Sequence, residues 1–152
     1  MTSGSTSDER EHALRRVRKF YGIATEREWM RLEHPTDGRI EFAVHKAWIG
    51  RYVPQAPARV LDIGGGPGRY SIWLGEQGYR VTLADLSPEL LALAQEKATE
   101  SGVAIEGFVE ANATDLSQFA DASFDVVLCM GPLYHLILEE DRQRVVTELL
   151  RV

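Results

Sequence analysis

The stretch Val60–Tyr70, VLDIGGGPGRY, constrains this chain more than any other. A short apolar run that suits a buried strand passes through alternating glycines into a helical pattern, which is how a β-α-β unit begins. The alternation then continues. Arg69–Gln77 is helical and closes on Gly78, a good left-handed terminator, and Tyr79–Asp85 is a second strand. Ser87-Pro88 supplies an N-cap and a first-turn proline for a helix with Leu90, Leu91, Ala94 and Ala98 on one face. Val103–Val109 and Phe124–Met130 read as two further strands, and Asp141–Val152 as a last helix with Val145, Val146, Leu149 and Leu150 facing inward. That order predicts an α/β, Rossmann-like, mainly parallel sheet with right-handed crossovers, running from residue 58 to 152.

The first third has another texture. Residues 1–9, MTSGSTSDE, are polar and without an apolar core segment, so they read as a disordered lead-in and not a signal peptide. Residues 10–57 read as an N-terminal helical cap belonging to the same domain. Its apolar residues recur at helical spacing: Ala13, Leu14, Val17 and Phe20–Tyr21; Trp29, Met30 and Leu32; Ile40, Ala43, Val44, Ala47, Trp48 and Tyr52. These aromatics are expected in the core. His34-Pro35 and Val53-Pro54 end two of the helices.

Composition excludes several function classes. No apolar stretch is long enough to span a bilayer, so no membrane partner is expected. Cys129 is the one cysteine, sits in an apolar run and cannot form an internal disulfide; it reads as a small buried hydrophobe in a cytoplasmic protein. His12, His34, His45 and His135 show no metal-ligand spacing, so no metal is expected. The first 59 residues hold 11 basic and 8 acidic side chains, the rest 6 and 15. The basic run Arg10–Lys19 is therefore followed by an acidic body that repels phosphate backbones, and it reads as a solvated helix face with no nucleic-acid partner.

The glycine loop carries the chemistry. Such a loop at the carboxyl end of a parallel strand lies where ligands bind, and glycines let a ligand approach without meeting a Cβ. The spacing is G-x-G-x-G, whereas the dinucleotide fingerprint needs glycine where Arg69 stands. Asp62, just before the loop, would repel a pyrophosphate but suits a ligand carrying an ammonium and a sulfonium. Asp85 ends the second strand, where an acidic residue accepts hydrogen bonds from ribose hydroxyls.

In order, VLDIGGGPG, VTLADLSPELLALA, EANATDL and SFDVVLCMGPLYHL resemble class I S-adenosylmethionine-dependent methyltransferases. The likeness is nearest to small bacterial members with a Gly-Pro-Leu-Tyr-His loop after strand four. It implies S-adenosylmethionine as cofactor, S-adenosylhomocysteine as product and a small-molecule methyl acceptor. By the resemblance, Asp62 orients the methionine ammonium, and Gly64 and Gly66 bring backbone beside the methionyl and ribose portions. Asp85 binds the ribose and Leu86 packs on the adenine. Asn112 accepts from the adenine amino group and Ala113 offers its N–H to the ring, while Met130 passes close to the methionyl group. Tyr21 and Arg31 are candidates for the cofactor's carboxylate, Arg31 as a charge-assisted donor. Tyr134 and His135 are the base-like side chains beside the methyl group. Family members continue past a segment like Glu148–Val152 into further strands, so the fold is expected to lack its final strands. The strand Phe124–Met130 would then leave an open edge through which a homodimer forms. Two other readings remain open: a cofactor-binding or self-associating module without turnover, and an NAD-dependent oxidoreductase, which Asp62 and the glycine spacing disfavour.

Overall fold

Three helices precede the sheet: α1 (Ser3–Ile23), α2 (Thr25–Arg31) and α3 (Gly38–Tyr52). There follow β1 (Arg59–Ile63), α4 (Arg69–Glu76), β2 (Arg80–Asp85), α5 (Pro88–Glu100), β3 (Gly107–Glu110) and β4 (Val126–Leu128). A one-turn 3₁₀ helix (Pro132–His135) then leads into α6 (Glu139–Arg151). The computed structural model describes the backbone of residues 3–152 and the side chains of residue 8 and of residues 10–152. Of the expected lead-in, residues 1 and 2 lie outside the described residues, and α1 already begins at Ser3.

The four strands are parallel in the order β3-β2-β1-β4, as the alternation predicts. Connections leave β1 toward β2 on one side, and the chain later returns to lay β4 on the other. The crevice at this reversal, outside the carboxyl ends, is where open parallel sheets hold ligands. The register sets Asp62 opposite Leu83 and Leu128, and Asp85 opposite Glu110, so both acidic residues sit at that end.

Alternation along β1 divides the core. Leu61 and Ile63 pack with Ala84, Leu116, Val145 and Val152 on one face, and Val60 with Ile49, Tyr70, Leu74 and Val81 on the other. The last two strands are shorter than their apolar runs predict. Ile105, expected in a strand, instead packs with Leu83, Leu91 and Ala94. Phe124 is not laddered on β1 either: its N–H donates to the Val152 carbonyl at 2.9 Å. In α6, Val145 is buried while Val146 and Leu150 are exposed, so only part of the expected apolar face turns inward.

Helix α3 corrects the sequence reading. Ile40, Val44, Trp48 and Tyr52, spaced by four, face outward, and Trp48 stacks on Tyr52 at 5.7 Å between ring centres. The inward face is Phe42 and Ile49, with His45 lying 2.7 Å from the Tyr70 hydroxyl. A helix that packs on one side only buries one stripe, and here the smaller one was chosen because it meets Tyr70 and Leu32. The cap is pinned to the sheet by polar clasps. Arg10 pairs with Glu140 at 2.8 Å and Asp141 at 3.0 Å, and Arg18 with Glu110 at 2.9 Å. Arg69 lies 3.5 Å from the Trp29 ring centre while its Nε donates to the Trp29 carbonyl. No helix among the described residues is long and apolar enough to cross a membrane.

Candidate active site

A cavity of about 280 Å³ opens over the carboxyl ends of the strands, between them and the first two helices. Its floor is the loop after β1. Gly64, Gly66 and Gly68 all take positive φ, which glycine alone adopts without cost. At Gly65 an added Cβ would stand 2.7 Å from the Asp62 carboxylate, so the loop wraps the acid closely. At Gly66 an added Cβ would meet only Leu90 Cδ1, at 4.0 Å, so its backbone faces open space.

Asp62 is 1% exposed, and Ser71 Oγ, from the first turn of α4, donates to it at 2.7 Å. Burial pushes its carboxyl up to about 6, against the Ser71 hydrogen bond and with help from the charge of Asp85. A cation brought into the cavity would stabilise the carboxylate and draw that value back down. Asp85 is also buried; Gly66 N–H donates to one of its oxygens and Ser87 N–H to the other, each at 2.9 Å. Burial raises its carboxyl, and those N–H groups, with Leu86, hold it down. The carboxylate thus ties the tip of the glycine loop to the start of α5, a function the sequence did not reveal.

All twelve residues singled out from the sequence line this one cavity: Tyr21, Arg31, Asp62, Gly64, Gly66, Asp85, Leu86, Asn112, Ala113, Met130, Tyr134 and His135. Their surroundings differ from expectation at three places. Arg31 already donates to Glu28 at 2.7 Å and to both oxygens of Glu41 at 2.7 and 2.8 Å, so a ligand carboxylate would have to compete with two carboxylates. Asn112 spends its side-chain oxygen on Thr114 N–H at 3.1 Å, shaping its own turn. The Tyr21 hydroxyl lies 2.9 Å from His135 Nε2, with the rings edge to face at 5.4 Å.

Burial lowers the His135 pKa, opposed by Asp85 and Glu28, which favours the neutral ring. Burial and then the adjacent Tyr134 hydroxyl raise the Tyr21 phenol, which keeps its proton. Cys129 is half-buried and burial pushes its thiol up to about 11, which leaves it unreactive. Glu28 and Arg10, which no motif singled out, also line the cavity. Both come from generic-looking charged helices, and the partners of Arg10 lie about 130 residues away in the chain.

Among families of known proteins, the one described as "Methyltransferase domain" matches residues 61–152. A ubiquinone biosynthesis O-methyltransferase of Xylella fastidiosa is 40% identical over 89 residues, which cover 59% of this chain and 36% of that protein. The chain therefore spans little more than a third of that relative's length. A SAM-dependent methyltransferase of Methanosarcina mazei superposes with a TM-score of 0.62 at 32% identity, over 69% of this chain and 51% of the other. Magnesium protoporphyrin IX methyltransferase of Synechocystis, solved with bound SAM, superposes with a TM-score of 0.72. At 21% identity, over 90% of this chain and 70% of that one, it supports the fold alone.

Proposed function

This chain belongs to the methyltransferase-domain family of S-adenosylmethionine-dependent enzymes, and on that premise we propose that it binds S-adenosylmethionine over the β1 loop and methylates a hydroxyl of a small, largely apolar acceptor. The observation that carries the reading is the pairing of Asp62 and Asp85 at the ends of adjacent strands, across a loop whose Gly66 backbone faces open space. The cavity fits the cofactor's chemistry. A fully buried carboxylate with one hydrogen-bond donor, its charge penalised by desolvation, gains from an ammonium or sulfonium partner. Asp85 retains free lone pairs on both oxygens, as ribose hydroxyls require.

When bound, the cofactor supplies an electrophilic methyl group. What the protein adds is alignment, exclusion of water and a proton acceptor. Asp62 and the loop hold the donor end, and Leu86, half-buried, offers a flat apolar wall. The acceptor half is bounded by Leu14 and Val17 of α1 and by Leu136 and Ile137 after the 3₁₀ turn, which favours an apolar body. A hydroxyl must lose its proton as it attacks, and His135, which lines the cavity and whose pKa burial lowers, is the group we assign to take it. The Xylella relative, by its name an O-methyltransferase, supports oxygen as the attacked-from atom.

Incubating the chain with S-adenosylmethionine and a panel of phenols and alcohols, with S-adenosylhomocysteine release as readout, tests the proposal. One acceptor class should give turnover, and His135→Ala should lower it by roughly 10²–10⁴ with cofactor affinity kept. A loss under threefold would remove His135 as the base and leave alignment alone.

A further inference from the structure

We propose that Tyr21 is a positioning residue for His135: by accepting the imidazole Nε2–H, its phenol selects the tautomer whose Nδ1 lone pair is free to take the acceptor's proton. The inference rests on His135 being the base in the reaction proposed above. Its starting point is geometric. Tyr21 Oη stands 2.9 Å from Nε2, and His135 packs against two phenol rings, Tyr21 at 5.4 Å and Tyr134 at 4.4 Å from its centre. Both tyrosines and the histidine line the cavity.

A neutral imidazole has one N–H and one lone pair, so the Tyr21 contact can run either way. If the phenol donated to Nε2, the proton would sit on Nδ1, where no described residue accepts it. If Nε2–H donates to the phenol, the ring's one N–H is satisfied and the unpaired atom is an acceptor. The proposal takes the second arrangement, because only it leaves the ring with a lone pair that Tyr21 does not already engage, as a base requires. It also leaves the Tyr21 O–H free for Tyr134 or for the bound acceptor.

In the transfer, the acceptor's O–H proton passes to Nδ1 while an oxygen lone pair forms the new C–O bond. The methyl's bond to the sulfonium sulfur breaks, and its electron pair stays on the sulfur of the methyl donor. His135 becomes imidazolium, and its Nε2–H bond to Tyr21 persists through the change. The charges of Glu28 and Asp85, both facing the ring through the cavity, favour that cation. Tyr21 is carried on α1, which Arg10 and Arg18 clasp to α6 and β3, so the base is set only when α1 is seated. This gives the N-terminal helix a part in the chemistry that packing alone does not assign.

The test is side-chain ¹⁵N NMR of the whole chain labelled at histidine, with His135 assigned by the signals lost in His135→Ala. At neutral pH the wild type should show His135 protonated at Nε2 and bare at Nδ1. Tyr21→Phe, checked for folding by circular dichroism, should give a mixture of tautomers and a kcat lower by roughly tenfold, with KM for the methyl donor within twofold. A wild-type spectrum with the proton on Nδ1 overturns the proposal, as does an unchanged tautomer in Tyr21→Phe. Failure of the base reading looks different: His135→Ala would then turn over normally whatever the tautomer.

Discussion

Gly66→Val should give a folded chain that no longer binds S-adenosylhomocysteine measurably. Gly66 has φ +56°, a conformation that a β-branched residue enters at a cost of about 1–3 kcal/mol. That strain falls on a loop and is small enough for the fold to survive. The larger effect is steric. A Cβ at this position meets nothing but Leu90 Cδ1 at 4.0 Å, so the side chain clears the protein and stands in the cavity itself. Gly66 N–H also donates to Asp85, so a shifted backbone would release the carboxylate proposed to bind the ribose at the same time. Together these should cost at least a hundredfold in affinity, about 2.7 kcal/mol. Titration calorimetry beside a thermal melt reads both effects, and wild-type affinity in a folded Gly66→Val chain would show that the loop does not hold the ligand.

Asp85→Ala should also weaken S-adenosylhomocysteine binding strongly, by a different route. Two hydrogen bonds to a charged acceptor, at about 1.5–3 kcal/mol each, predict a loss of at least tenfold. The structure adds a second loss. The carboxylate fixes Gly66 N–H and Ser87 N–H, so alanine leaves two buried donors without their acceptor. Asp85→Asn keeps one acceptor oxygen and should fall between wild type and alanine. Unchanged affinity in a folded Asp85→Ala chain would mean that ribose is bound elsewhere.

Much of this was legible because the decisive residues are close in sequence and set by local geometry. Strand ends place Asp62 and Asp85, and a glycine loop opens between them; period-two and period-3.6 patterns report such things directly. What stayed hidden is the arrangement of the cap. The outward face of α3 has the stronger apolar stripe, Ile40, Val44, Trp48 and Tyr52, so periodicity alone selects the wrong side. The inward side was decided by long-range partners, Tyr70 and Leu32, that no local pattern encodes. Arg31 illustrates the same limit. A helical arginine beside a cavity reads as an anion ligand, and only the fold shows that Glu28 and Glu41 already pair with it. Tyr21 was expected at the cofactor's carboxylate, and its contact with His135, more than a hundred residues on, was not foreseen.

The central claim is that the acidic residues and glycine loop at the carboxyl ends of β1 and β2 form a site for an S-adenosyl ligand and not for a dinucleotide. Titration calorimetry of the wild-type chain with S-adenosylhomocysteine, and separately with NAD, tests it most directly. Saturable binding of one S-adenosylhomocysteine per chain, with no heat from NAD, is the expected result. Saturable NAD binding, or a folded chain silent toward S-adenosylhomocysteine, would contradict the assignment of Asp62, Gly66 and Asp85.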